Sequence, residues 1–544
     1  GGAVPDGTGV QVAHVEAAVQ IGEDLAWLPD ASVAEFAGKT IIDATGSTSG
    51  LVSGHATGVG RNFYGSATSI APGITTIVAY LADDWLQSGF LRVGAGRRPQ
   101  PDTSASRIGN HSWIGDAGAD NAQAIRRLDW LIARDEFVQV AGLKNSGMNQ
   151  PLLSSAYNIV AVGRTDGGHA QGTVAVDSLY TAARTRPDLV VPAPNTSIAT
   201  PRVAAAAALL IEAAHGNSGL SSDPVETSTT NRNGDVIYNA ERAEVIKAIL
   251  MAGAARVTGN TTDVDIADYR AAAADRTSNG LDRRFGAGQL DIYASHQILT
   301  AGEQNSDEDA PAGNGFVTAA GFDYAPSFGG LGGSNSQATY FFSTTGEPAE
   351  LTVALVWHVA VDGGSRNNFD GTASLYDLDL ALYDVSNPAN WVLMSQSTSN
   401  SENTENLWET LPAGHDYALR VTRGAGQDAF DWDYALAWLL RDVPVDPPTD
   451  TDGDGVADDG DNCTTVPNAP QRDTDGDGFG NRCDPDFNNN GIVDSNDGAV
   501  FKAAFGSATA PDQDLNGNGV VDSNDGSVLK SMFGQPPGPS GPVP

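Results

Sequence analysis

Cysteine is almost missing from this chain: only Cys463 and Cys483 occur in 544 residues. Lysine is scarce too, at 5 against 25 arginines, and the 30 bases face 68 acids. The resulting charge of −38 repels phosphate backbones and anionic lipid, which argues against nucleic acid and acidic membranes as partners. It favours cations and solubility in high salt, and a saline habitat is the expectation from this balance. Long hydrophobic runs are absent as well. The longest, residues 203–211, falls far short of the ~20 needed to span a bilayer. The first 30 residues show no basic stretch followed by an apolar core, so no secretory leader is expected among them. Global disorder is excluded by a hydrophobic content of 40%, and the length calls for several domains.

The acid is unevenly placed. Residues 449–544 hold 17 Asp, no Glu and 4 bases, a net of −13, and the other 448 residues carry −25. Aspartate without glutamate, at regular spacing, marks a site rather than a general means of staying soluble. Both cysteines fall inside this segment. Ca²⁺ prefers oxygen ligands, so the pair reads as a Cys463–Cys483 disulfide and implies an oxidising, extracytoplasmic setting.

Residues 1–302 alternate strand and helix patterns. Residues 10–15, 76–80 and 159–162 read as strands, and Ala122, Ile125, Leu128, Leu131 and Ile132 recur at helical spacing. That alternation predicts an α/β fold, a parallel sheet with helices on both faces. Residues 303–442 change to period-2 patterning (Leu351, Val353, Leu355, Trp357; Tyr417, Leu419, Val421; Tyr434, Leu436, Trp438, Leu440), which predicts an all-β sandwich. Residues 443–449, with three prolines, read as a stiff linker.

A fourfold repeat follows. Asp450, Asp452, Asp454, Asp458 and Asp461 occupy positions 1, 3, 5, 9 and 12 of a loop, with Gly455 at position 6. Asp473, Asp475, Asp477, Asn481 and Asp484 repeat the register, as do Asp486, Asn488, Asn490, Asp494 and Asp497, then Asp514, Asn516, Asn518, Asp522 and Asp525. Oxygens at those positions wrap a hard cation, and glycine at position 6 permits the sharp turn, so about four Ca²⁺ ions are expected. Mg²⁺ resists dehydration and fits less well. Residues 450–485, with Asp-Asn-Cys at 461–463, resemble thrombospondin type 3 repeats. Residues 486–535, with short helices predicted at 498–505 and 526–533, resemble a type I dockerin module. The second resemblance implies a docking role toward a cohesin-like or cell-surface partner. Residues 536–544, rich in Pro and Gly, are expected to be disordered.

Three segments of the first region carry chemistry. One is a strand ending in Glu16. Another is Gly54-His55-Ala56-Thr57-Gly58, which places a His at the start of a helix. The third is Asn195-Thr196-Ser197-Ile198-Ala199-Thr200-Pro201, a Ser at the N-terminus of an apolar, hence buried, helix. That helix end offers N–H groups and a positive dipole to an oxyanion. Acid, His and Ser in this order on an α/β sheet resemble the subtilisin-like serine proteases, over roughly residues 5–300. The resemblance implies Ser197 as nucleophile, His55 as general base, Glu16 as the orienting acid and Asn145 as the side-chain oxyanion donor. It also implies Ser112 and Trp113 as part of the strand that binds substrate peptide. Glu16 stands where the family has Asp, with Asp43 as the fallback acid, and Asn195 stands where the family has Gly. Leu375–Leu380 and Leu411–Gly414 resemble the pre-peptidase C-terminal type of jelly roll, in which Asp377 and Asp379 read as surface acids more readily than as ligands. The expectation is a secreted, calcium-binding serine endopeptidase acting on protein or peptide. The alternative is an inactive subtilase-fold protein serving as a calcium-stabilised structural, adhesive or docking component.

Overall fold

A computed structural model describes residues 4–45, 51–96, 98–256, 275–308, 315–328, 335–442, 450–456, 458 and 460–540. The linker expected at 443–449 lies outside the described residues. The chain forms two compact units, Gly1–Val443 and Pro444–Pro544.

The first unit is built on seven parallel strands: β1 (Val12–Glu16), β2 (Thr40–Asp43), β3 (Thr76–Leu81), β4 (Ile108–His111), β5 (Val138–Gly142), β6 (Val160–Arg164) and β7 (Leu189–Val191). Their order is β7-β6-β5-β4-β1-β3-β2. Every residue of β1, β4 and β5 is buried, so both faces of the sheet are covered, as a parallel sheet requires. The helices that matter for the site are α1 (Gly54–Tyr64), α2 (Asn121–Asp135) and α3 (Thr196–His215). α3 packs on β4, β5 and β6, and its run Ala204–Ala208 is wholly buried against them. By length and hydropathy α3 would suffice to cross a membrane, which the apolar-run reading did not anticipate, yet it is mostly buried inside the protein.

The sandwich strands are β8 (Ala320–Ala325), β9 (Gln337–Ser343), β10 (Ala349–Val356), β11 (Leu378–Asp384), β12 (Val392–Ser397), β13 (Thr404–Leu411), β14 (Asp416–Arg423) and β15 (Tyr434–Asp442). They form two antiparallel sheets in the orders β8-β15-β10-β13 and β9-β14-β11-β12, a jelly-roll arrangement. The expected alternation holds: Leu351, Val353, Leu355, Trp357, Leu436 and Trp438 fill the inter-sheet core. The intervening residues are also buried. Ala354, Val356, Ala435, Ala437 and Leu439 join the core of the α/β layer, and Thr352 Oγ1 donates to Ala252 O at 2.7 Å. Residue 302 therefore ends the α/β sequence pattern without ending the packing: the sandwich shares a core with the layer before it.

The second unit has a small core of Val493, Phe501, Leu515, Val521 and Leu529. Its helices, α4 (Ser495–Ala504) and α5 (Ser523–Met532), begin three residues earlier than the sequence predicts, because Asp494 and Asp522 cap them and Asp497 and Asp525 close the capping boxes. Cys463 and Cys483 form a disulfide. Residues 536–540, expected to be disordered, are tied down instead. Gly538 N donates to Cys483 O at 3.0 Å, Thr464 N to Pro539 O at 3.0 Å, and Ser540 Oγ to Gly478 O at 2.7 Å. Residues 541–544 lie outside the described set.

Candidate active site

Glu16 ends β1 and is 1% exposed. Its Oε2 accepts from His55 Nδ1 at 2.8 Å, and its Oε1 lies 3.1 Å from His14 Nε2. The Glu16 carboxylate is thus engaged by two imidazoles. His55 stands in the first turn of α1, which Ser53 caps by accepting from Ala56 N at 3.3 Å. Burial alone would raise the Glu16 carboxyl, but hydrogen bonds from His14 and His55 outweigh it and hold it below the ordinary 4.5. The Glu16 hydrogen bond in turn holds His55 above the ordinary 6.5, against the burial that would lower it. Asp43, the fallback acid, sits on the edge strand β2 and accepts from Thr45 N at 2.9 Å, so it plays no part at His55.

Ser197 lies in the first turn of α3. Asn195 caps that helix from an extended conformation (φ −158°), accepting from Ile198 N at 2.9 Å. No left-handed residue is therefore needed at position 195. Pro201 has no N–H to give the Ser197 carbonyl four residues back. That carbonyl accepts instead from Ser112 Oγ at 3.0 Å, which docks the helix start on the segment after β4. Ser197 Oγ donates to Ser112 O at 3.4 Å. Among the described residues no hydrogen bond joins it to His55. α1 and α3 pack together, and Arg202 Nε donates to Asn62 Oδ1 at 3.1 Å, tying the two helices within two turns of His55 and Ser197.

Asn145 Oδ1 accepts from Thr196 N at 2.9 Å and Thr196 Oγ1 at 3.1 Å. A backbone N–H can only donate, so the amide orientation is fixed and its NH₂ is left as a donor. Asn145, Ser197, Ser112, Trp113 and Lys144 line one cavity of about 270 Å³. A neighbouring cavity of about 570 Å³ shares Trp113 and Ile114 and carries Asp83, Asp116, Asp120 and Arg98. The structure thus gathers Glu16 with His55, and Ser197 with Asn145, Ser112 and Trp113. Sequence reading missed His14, Tyr64 and Thr196. His14 was legible in one respect: it lies two residues before Glu16 on a strand, hence on the same face.

The four acidic loops share the turn at position 6. Gly455, Gly478, Gly491 and Gly519 have φ of +93°, +94°, +88° and +91°, the turn expected at position 6. Carboxylate oxygens of Asp450, Asp452 and Asp454 lie within 4.8 Å of one another, as do those of Asp473, Asp475 and Asp477. Asp461 is fully buried, and its Oδ2, like Asp452 Oδ2, has no hydrogen-bond partner. Clustered carboxylates with orphaned oxygens in one loop fit a hard cation. In all four loops the acid at position 1 accepts from the glycine at position 6: Asp450 from Gly455 N at 3.0 Å, Asp473 from Gly478 N at 3.1 Å, Asp486 from Gly491 N at 2.6 Å and Asp514 from Gly519 N at 2.9 Å.

No protein-family profile matches this chain, and no curated protein matches it. Solved structures similar to parts of it include the prenylagaramide maturation protease PagA, at 18% identity over 54% of this chain and 94% of that one, with a TM-score of 0.31. The self-cleaved protease domain of PatA matches at 17% identity over 55% and 99%, with a TM-score of 0.33. A cold-adapted subtilisin-like serine proteinase matches at 19% identity over 40% and 80%, with a TM-score of 0.25.

Proposed function

We propose that the chain is a secreted, calcium-binding serine endopeptidase of the subtilisin-like kind. The observation that carries the reading is the His55 ring, held by a buried carboxylate at 2.8 Å, in the same compact unit as a helix-terminal Ser197 whose cavity Asn145 shares. With Nδ1–H given to Glu16, His55 presents an unprotonated Nε2. It takes the Ser197 Oγ proton as the oxygen attacks a substrate carbonyl, and the Asn145 amide and the Ser197 N–H receive the oxyanion. His55 then returns the proton to the leaving amine, and water repeats the sequence on the acyl-enzyme. Because His55 must be neutral to act and its proton affinity is raised by Glu16, activity falls as pH drops through a value above 6.5.

In the second unit, Asp450, Asp452, Asp454 and Asp461 with Asp473, Asp475, Asp477 and Asp484 would hold Ca²⁺ first, and the loops at 486–497 and 514–525 would follow. A bound ion would offset the repulsion among these carboxylates. The disulfide supports an extracytoplasmic location, and the module at 486–535 would serve a cohesin-like or cell-surface partner. A second reading, a resting or inactive protein, draws on the Ser197 hydroxyl, which is engaged with Ser112 O and not with His55. A fluorophosphonate probe decides between them. Labelling of the Ca²⁺-loaded chain that disappears in Ser197→Ala is the expected outcome, and failure to label the folded wild type refutes the enzyme.

A further inference from the structure

We propose that His14 is a positioning residue for the acid–base pair, so that the triad is extended into a buried chain Tyr64–His14–Glu16–His55. The inference rests on the serine-hydrolase reading of His55 and Ser197.

A carboxylate sealed from water needs donors for both oxygens, because nothing else can replace its hydration. His55 serves Glu16 Oε2, and His14 is within hydrogen-bond distance of Oε1 at 3.1 Å. The other nitrogen of His14, Nδ1, lies 2.9 Å from the Tyr64 hydroxyl. His14 is 1% exposed and Tyr64 is fully buried. Opposite a carboxylate, Nε2 must carry the hydrogen, and in the neutral ring Nδ1 then accepts and Tyr64 donates. Burial drives the Tyr64 hydroxyl well above its ordinary 10, which keeps it a donor at every working pH. Every hydrogen bond in the chain then points toward the carboxylate.

Among the described residues His14 is the one donor within reach of that oxygen. On β3 the residues paired with His14 and Glu16 are Ala79 and Leu81, which do not titrate. On β4 the partner of His14 is Asn110, and the nearby His111 is pushed down to about 4 by burial and bonded through Nε2 to Gln139. From α1 come only His55 and Tyr64. The sequence also makes room for the chain. A Cβ on Gly60 would lie 2.5 Å from the Tyr64 hydroxyl oxygen and 2.9 Å from Phe36 Cζ, so glycine at that helical position lets Tyr64 reach His14. One added methylene at Glu16 and a histidine two residues before it therefore form a matched pair. Glutamate extends far enough to meet both imidazoles, and His14 fixes which oxygen faces His55.

The role predicts a pH signature. Removing the Oε1 donor destabilises the bare carboxylate beside neutral His55 more than the carboxylate facing an imidazolium. Protonation of the pair then becomes easier whether the proton settles on His55 or on Glu16. In His14→Leu the acid limb of kcat/KM should move up by about one to two pH units, the worth of one hydrogen bond to a charged group. Above that limb, kcat per fluorophosphonate-titrated site should fall at least tenfold with KM nearly unchanged. His14→Gln, whose amide offers a donor in the same place, should restore most of both. A merely structural role would lower the number of titrated sites and leave the limb where it is. An unmoved limb in His14→Leu, or failure of Gln to rescue, overturns the proposal. If His14→Leu does not fold, Tyr64→Phe and Gly60→Ala read the same chain from its far end and should each shift the limb in the same direction. A ¹⁵N-imidazole spectrum of the full chain tests His14 without turnover. A single tautomer protonated at Nε2 is expected, with a mixture in Tyr64→Phe, and an Nδ1-protonated His14 in wild type refutes the chain. An unlabelled wild type would refute the hydrolase reading instead, and the spectrum would still judge the His14 network.

Discussion

Shortening the acid at position 16 to aspartate should harm this protein. β1 is hydrogen-bonded on both sides, to β3 and to β4, so its backbone cannot advance toward the helices. Glu16→Asp withdraws the carboxylate by one carbon–carbon step, roughly 1.5 Å. Bonds now at 2.8 and 3.1 Å would both stretch beyond hydrogen-bonding range, or one would be kept at the other's expense. A hydrogen bond to a charged group contributes about 1.5–3 kcal/mol. If the bond lost is the one that stabilises the His55 imidazolium in the transition state, the rate falls about 10- to 150-fold. The assay is the second-order rate of fluorophosphonate labelling of Ser197, measured above the acid limb on folded protein. Glu16→Gln gives the companion measurement, since its amide can present oxygen to His55 only by turning N–H toward the N–H of His14. An aspartate variant that reacts as fast as wild type, or faster, would refute the claim that the site is built around the longer acid.

Other outcomes follow from the same geometry. A Cβ on Gly142 would lie 2.6 Å from Thr200 Oγ1 and 3.4 Å from Thr196 Cβ, so Gly142→Ala should push on the start of α3, destabilise by about 1–3 kcal/mol and slow Ser197 labelling; an unchanged melting temperature and rate would sink this. Ca²⁺ at about a hundred times its Kd should stabilise the second unit by about 2.7 kcal/mol per site, and EDTA should remove the gain; melting and protease resistance indifferent to EDTA would end the calcium claim. Burial, and each carboxylate's nearness to other acids, hold Glu136 and Glu244 above the ordinary glutamate value where the sandwich meets the α/β layer. The folded state then keeps protons that the unfolded chain has released, so this stability is complete below about 4.5 and is lost as pH rises toward their folded values. Glu244→Gln should flatten that dependence in pH-resolved denaturation, and an equally steep wild type and variant would disprove the assignment.

Much of the site was legible because its signals are local. A strand that ends in an acid, a His at the start of a helix and a Ser at the start of an apolar helix each announce their position by neighbours in sequence. The turns of the four acidic loops were legible for the same reason, since positive-φ glycine and acid spacing are properties of one short segment. The sandwich was read correctly from its period of two, but its second buried face was not. Ala354 and Ala437 are small and unremarkable in sequence, and only packing reveals that they face another layer. The tail at 536–540 was misread because composition records flexibility of the free chain, whereas three hydrogen bonds to the Cys463–Cys483 region hold it in place.

The sequence by itself determined the kinds of element, the order of acid, His and Ser, and the turns of the four acidic loops, because each depends on propensity and spacing within a few residues. Tertiary structure alone decided which charges meet. It put His14 and His55 on the two oxygens of Glu16, left Asp43 on an edge strand, turned the Asn145 amide by way of Thr196, and merged the sandwich with the layer before it. Those outcomes depend on distances between segments far apart in the chain, where burial makes a hydrogen bond to a charge matter most and where no local pattern specifies the partner.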